Sequence, residues 1–186
     1  MTDPLLQWSA ASPGWVADAI VCESPNQDDR PDGAEIAIVV LHFISLPAGV
    51  LGGDAVLALF QNRLNQHSNA TLQALSSLKV SAHFFIRRDG TLVQCVPCHR
   101  RAWHAGYSSW GGRSRCNDYS IGIELEGAEM FPFEEAQYVT LEKLLQIIRE
   151  RFPIEDVVGH EHIAPGRKID PGPTFDWFRV GQSRRS

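Results

Sequence analysis

Apolar positions along this chain fall into runs of different period. Glu35 to Ile44 (EIAIVVLHFI) is continuous and β-branched, the pattern of a strand buried on both faces. His42 interrupts that run near its C-terminal end, where open α/β sheets gather ligand-binding groups. Tyr119 to Leu125 (YSIGIEL) alternates instead, with Ile121, Ile123 and Leu125 on one face and Gly122 and Glu124 on the other. Val80–Arg88 and Thr91–Val96 flank Asp89-Gly90, which predicts a hairpin closed by a two-residue turn. Glu134 to Phe152 repeats with helical spacing through Tyr138, Leu141, Leu144, Leu145, Ile148 and Phe152, with Pro132 at its start and Pro153 at its end. Asp54–Leu64 and Thr71–Leu78 read as short helices, and Val157-Val158 as a short last strand.

The segments between these runs are punctuated rather than periodic. Residues 1–34 read as irregular, and Ser24–Gly33 is all turn chemistry. Ser45–Gly53 is a loop rich in Pro and Gly, and Arg100–Asn117 one rich in Trp and Gly. Gly159–Pro173 (GHEHIAPGRKIDPGP) carries Pro165, Gly166, Pro171 and Gly172, a density that argues against regular helix or central strand and predicts a stiffened loop. A hairpin mixed with helices implies an α/β (mixed α+β) fold, a central mixed β-sheet flanked by helices. The 186 residues suit one domain, 1–186, with 1–34 packing on it as an irregular N-terminal segment.

Composition narrows the partners. A net charge of −5 and a pI near 5.8 leave no strong basic stripe, so no nucleic-acid partner is expected. The basic pairs Arg100-Arg101 and Arg184-Arg185 read as solvated surface charge. The longest apolar run is far short of the ~20 residues of a membrane helix. The first residues lack the basic and apolar regions of an export signal, so a cytoplasmic protein with no membrane partner and no obligate protein partner is expected. In that setting Cys22, Cys95, Cys98 and Cys116 are free thiols, and Cys95-Val96-Pro97-Cys98 lacks the second pair a zinc ribbon needs.

The chemistry gathers in the stiffened loop. His160 or His162 with Asp170 offers imidazole and carboxylate, a ligand set suited to zinc, and His42 is the best third donor because a histidine among Val39, Val40 and Leu41 needs partners for its ring nitrogens. Spacing leaves His160 and His162 in competition, since two residues apart on extended backbone they point to the same side. Glu124, opposite the Ile121 and Ile123 face, is a credible proton shuttle. Glu126 is its rival, although Gly127 beside it suggests a strand end in solvent. Lys168 suits the stabilisation of a tetrahedral oxyanion.

These residues sit in longer stretches: SPNQDDRP (24–31), VVLHFISLPAG (39–49), LFQNRL (59–64), VSAHFFIRRDGTLVQCVP (80–97), RAWHAGYSSWGGRSRCNDYSIGIELEG (101–127) and GHEHIAPGRKIDPGP (159–173). Together they resemble the type 2 zinc amidases that cut the lactyl–L-alanine bond of peptidoglycan fragments, and most of all the cytosolic members that act on 1,6-anhydromuropeptides during wall recycling. The resemblance implies a fold shared with peptidoglycan-recognition proteins and phage amidases, a Zn2+ cofactor and an anhydromuropeptide substrate. It implies His42, His160 and Asp170 as metal ligands, and Glu124 and Lys168 as catalytic residues. Arg115, and Lys79 where an arginine is common, would contact substrate carboxylates. His83 and His104 match family positions as framework. Phe43 departs from the small or polar residue expected after the first ligand.

Overall fold

The computed structural model describes residues 5–181, so Arg184-Arg185 lies outside the described residues. The strands are β1 (Ile20–Val21), β2 (Gln27–Asp29), β3 (Ile38–Ile44), β4 (Phe84–Ile86), β5 (Leu92–Gln94), β6 (Arg100–Ala102), β7 (Ser109–Trp110), β8 (Arg113–Ser114), β9 (Ser120–Glu126) and β10 (Asp156–Gly159). The α-helices are α1 (Ala55–Phe60), α2 (Ala70–Gln73), α3 (Glu135–Arg151) and α4 (His160–Ile163). The main sheet runs β1-β5-β4-β9-β3-β10. β3 is parallel to both β9 and β10, β4 is parallel to β9, and the β4–β5 pair is antiparallel. This is the mixed sheet with helices that the sequence predicts.

Side-chain parity decides what each face holds. Val39 and Leu41 of β3 and Ile121, Ile123 and Leu125 of β9 meet the apolar stripe of α3, including Tyr138, Leu141, Leu144, Leu145 and Ile148. A fully buried Leu or Ile stabilises by about 1.5–3 kcal/mol, so this face is the main source of cohesion. The other face is covered in two parts. α1, α2 and the turn between them pack Val56, Phe60, Leu64 and Leu72 on Phe85 and Val93. The 105–119 region packs Ala105, Cys116 and Tyr119 on Ile38, Val40 and Val158.

Several expectations change in detail. The hairpin turn is one residue longer than Asp-Gly alone: Arg87 N–H donates to the Thr91 carbonyl (3.0 Å) and Gly90 N–H to the Arg87 carbonyl (2.9 Å), with Gly90 at φ +84°. That is a three-residue loop whose left-handed position falls on glycine. The two short helices are shorter than their patterns, ending at Phe60 and Gln73. The N-terminal segment contributes β1 to the sheet edge and β2 to a pairing with β6. The latter sets Asp28 opposite Arg101 and Asp29 opposite Arg100, so the basic pair is ion-paired rather than simply solvated. The 100–117 region, expected as loop, holds β6, β7 and β8. The four cysteines are free thiols, as expected. Among the described residues no helix is long and apolar enough to cross a membrane.

Candidate metal centre

His42 and Glu124 are direct neighbours across the β3–β9 register, both on the face away from α3. β10 pairs Gly159 with Leu41, so the next residue, His160, enters α4 beside His42. The chain then returns. Glu161 N–H donates to the Asp170 carbonyl (2.9 Å). Pro171 packs so closely that a Cβ on Gly159 would stand 2.7 Å from its Cδ. The stiffened loop therefore contains one helical turn that the sequence reading excluded. Its prolines lie beyond that turn, at 165, 171 and 173, where they break nothing.

Three donor atoms converge as a result. His42 Nδ1 lies 2.9 Å from His160 Nδ1 and 2.9 Å from Asp170 Oδ2, and the last two are 3.0 Å apart. All three residues are buried and form a group able to hold a metal ion. The outer nitrogen of His160, Nε2, faces the Ala105 carbonyl at 3.1 Å. A carbonyl only accepts, so that nitrogen carries a proton, and in the neutral ring the lone pair is on Nδ1. Burial lowers His42 to about 4, helped by His160 and Lys168 and opposed by Asp170. Burial pushes Asp170 up, but its contacts with His160 and His42 outweigh this and hold it well below the usual carboxylate range. Two imidazoles and a carboxylate aimed at one point fit a zinc-type ligand set.

Glu124 stands beside the cluster with Oε2 buried and without a hydrogen-bond partner. Burial, and then the charge of Asp170, raise its carboxyl well above the ordinary value, while Lys168 opposes them. Glu124, His160, Lys168 and Asp170 line a cavity of about 590 Å³ with Phe43 and Val80. A neighbouring pocket of about 230 Å³ is lined by Lys79, Trp103, Asn117, Arg167 and Lys168.

The competing residues part company. His162 is two positions along a helix from His160, not along a strand, so it points elsewhere: its Nδ1 accepts from Gly159 N–H (2.9 Å) and its ring lies 5.0 Å from that of Trp177. Glu126 is not in solvent. It is 4% exposed and accepts from the backbone N–H groups of Gly52 and Arg88, binding two loops to the end of β9. Arg115 has an exposed side chain, ion-pairs with Asp118 (3.1 Å) and does not line either pocket. His83 accepts from Gly122 N–H (3.0 Å), a framework contact. The contacts made by Arg30, which donates to the carbonyls of Cys98, Asn117, Asp118 and Ser120, had no signal in a segment that read as turns.

A family profile described as N-acetylmuramoyl-L-alanine amidase matches residues 32–173. The 1,6-anhydro-N-acetylmuramyl-L-alanine amidase AmpD of Citrobacter freundii is 47% identical over 168 residues, covering 89% of this chain and 90% of that protein. Among solved structures, a selenomethionine crystal structure of AmpD superposes with a TM-score of 0.87 at 46% identity, covering 91% of this chain and 96% of the other. The Escherichia coli amidase AmiD, in complex with anhydro-N-acetylmuramic acid-L-Ala-D-γ-Glu-L-Lys, superposes with a TM-score of 0.59 at 31% identity, covering 82% of this chain and 59% of that one.

Proposed function

This chain belongs to the N-acetylmuramoyl-L-alanine amidase family, and from that premise we propose that it hydrolyses, with zinc, the lactyl–L-alanine amide of 1,6-anhydro-N-acetylmuramoyl-peptides during peptidoglycan recycling. The observation that carries this reading is the meeting of His42 Nδ1, His160 Nδ1 and Asp170 Oδ2 at the edge of a cavity lined by His160, Asp170 and Glu124. The anhydromuropeptide substrate is supported by the activity of the AmpD relatives and by the ligand of the AmiD complex.

In this proposal His42, His160 and Asp170 hold the ion. Zinc, when bound, supplies Lewis acidity that polarises an amide carbonyl and makes water a better nucleophile. Glu124 takes the proton of the attacking water and returns it to the departing L-alanine amine. An apolar setting suits a carboxylate to both acts. The Lys168 ammonium faces the tetrahedral oxygen as charge builds on it. Lys79, in the smaller pocket, reaches a peptide carboxylate. Arg115 is assigned the same kind of contact, and exchanges Asp118 for a substrate carboxylate when it engages.

The test is to incubate the purified protein with anhydromuramoyl-tripeptide and with intact sacculi, each with and without a chelator, and to read the products by mass spectrometry. Chelator-sensitive release of free tripeptide from the small substrate is expected. Cleavage of sacculi alone would overturn the recycling substrate, and cleavage of neither would leave a muropeptide-binding module.

A further inference from the structure

The ring of His104 lies over Gly122 of β9 and beside His42 of β3, and no role in the proposed chemistry has so far fallen to it. Its Nδ1 lies 3.0 Å from His42 Nε2, and its Nε2 lies 3.0 Å from Ser120 Oγ. The two imidazoles meet edge to face, at 82° and 5.1 Å between centroids. With a metal on His42 Nδ1, one placement of protons suits the contacts of both rings. If His42 offers a bare Nδ1 to a metal, its proton is on Nε2, and His104 Nδ1 must accept it. His104 then carries its own proton on Nε2, where the Ser120 hydroxyl oxygen receives it.

The backbone around His104 is held for the same purpose. His104 N–H (3.1 Å) and Ala105 N–H (2.8 Å) both donate to Asn117 Oδ1. The Ala105 carbonyl is the group that receives His160 Nε2–H. One dipeptide thus touches the outer nitrogens of both imidazole ligands, through a side chain at 104 and a carbonyl at 105. The ring needs room on the sheet, and Gly122 supplies it: a Cβ there would lie 2.4 Å from His104 Cγ and 2.6 Å from its Nδ1. This glycine has ordinary strand backbone, so its value is space and not conformational freedom.

We infer that His104 is a positioning residue that sets the tautomer and the direction of the metal ligand His42, with Gly122 as the seat its ring requires. The inference rests on the zinc reading above. Metal-ligating histidines whose outer hydrogen-bond partner is removed typically lose 10–100-fold in metal affinity.

The experiment titrates the metal-free full-length protein with zinc against a chromophoric chelator, and records the visible spectrum of the cobalt(II)-loaded form. Circular dichroism of the metal-free proteins checks folding. His104→Ala is expected to weaken zinc binding roughly 10–100-fold and to alter the cobalt spectrum. His104→Asn, whose amide oxygen falls near the position of Nδ1, is expected to recover most of the loss. Gly122→Ala is expected to weaken zinc in the same direction as His104→Ala. If His104→Ala does not fold, the decision passes to Asn and Gln: Asn should stay within a few-fold of the parent, and Gln, whose amide lies too far out, should not. A parent protein that binds no zinc would sink both the zinc reading and this inference. A parent that binds zinc, with His104→Ala equally tight or with the Asn and Gln variants equal, would sink the inference alone.

Discussion

Glu124 carries the heaviest demand in the proposed chemistry, since it must gain and lose a proton in the same turnover. Its environment is built for that: a buried carboxylate with one unpartnered oxygen, displaced upward in pKa by burial and by Asp170. Glu124→Gln keeps the shape and removes the basic oxygen. It should lower kcat by about 10²–10⁴ on anhydromuramoyl-tripeptide, the usual range for a lost acid/base group, with zinc affinity unchanged within a few-fold. Full activity in that variant would assign the proton transfer to another group. At this scale the sequence was legible where residue type alone limits the options. His42, lodged among aliphatic neighbours, and Asp170, in a Pro-Gly setting, were both picked out as ligands and do converge. His160 and His162 could not be separated by spacing, because the backbone between them turned out helical. Glu126 was misjudged because Gly127 signals a strand end, and nothing local announces that two loops will close over it. The contact of His104 with His42 spans 62 positions and leaves no trace in either neighbourhood.

Among the elements, α3 has the clearest tie to the site, and the tie is a single side chain. Gln137 is fully buried in the first turn of the helix. Its Nε2 donates to the carbonyls of Ile86 (3.2 Å) and Glu126 (3.0 Å), at the ends of β4 and β9, while its Oε1 accepts from Glu134 N–H (3.0 Å). Gln137→Ala would leave buried groups on two strands and at the helix start without partners. At about 1–3 kcal/mol for each group so stranded, partly relieved by water, a net loss of about 2–4 kcal/mol is expected. Urea denaturation should show it as a lower midpoint with an unchanged slope. The helix itself was readable, as were β3 and β9, because each runs long enough to display a period. β1, β2, β6, β7 and β8 are two or three residues long and display none. Their pairing comes from neighbours far along the chain, such as the Asp28–Arg101 match across β2 and β6. The single turn of α4 was hidden by the prolines that follow it.

For the molecule as a whole, buried neutral imidazoles set the response to acid. Burial lowers His83 to about 3, with Arg30 adding to the effect, and lowers His42 to about 4. Both lie below the ordinary 6.5, so between those values the unfolded chain binds protons that the folded chain refuses. Their stabilising share is complete above pH 6.5 and is lost as pH falls through 4 toward 3. Each imidazole contributes ~1.4 kcal/mol per pH unit inside that window. The urea midpoint of the metal-free protein should therefore drop between pH 7.5 and pH 5, and His83→Gln should flatten the drop. An identical midpoint at both pH values would mean that these rings are charged in the folded protein. A mixed sheet with flanking helices could be foreseen from element order, but not which strands would be neighbours. β3 and β9 are separated by most of the chain's middle, and only their shared register puts His42 beside Glu124. The spread of the three donors over positions 42, 160 and 170 has a further consequence for biosynthesis. A nascent chain emerging N-terminus first holds one of the three donors, His42, until residues 160–170 have followed it out of the ribosome. In the proposed chemistry the ion can therefore be chelated only after β10 and the segment that follows it have been made and have docked on β3.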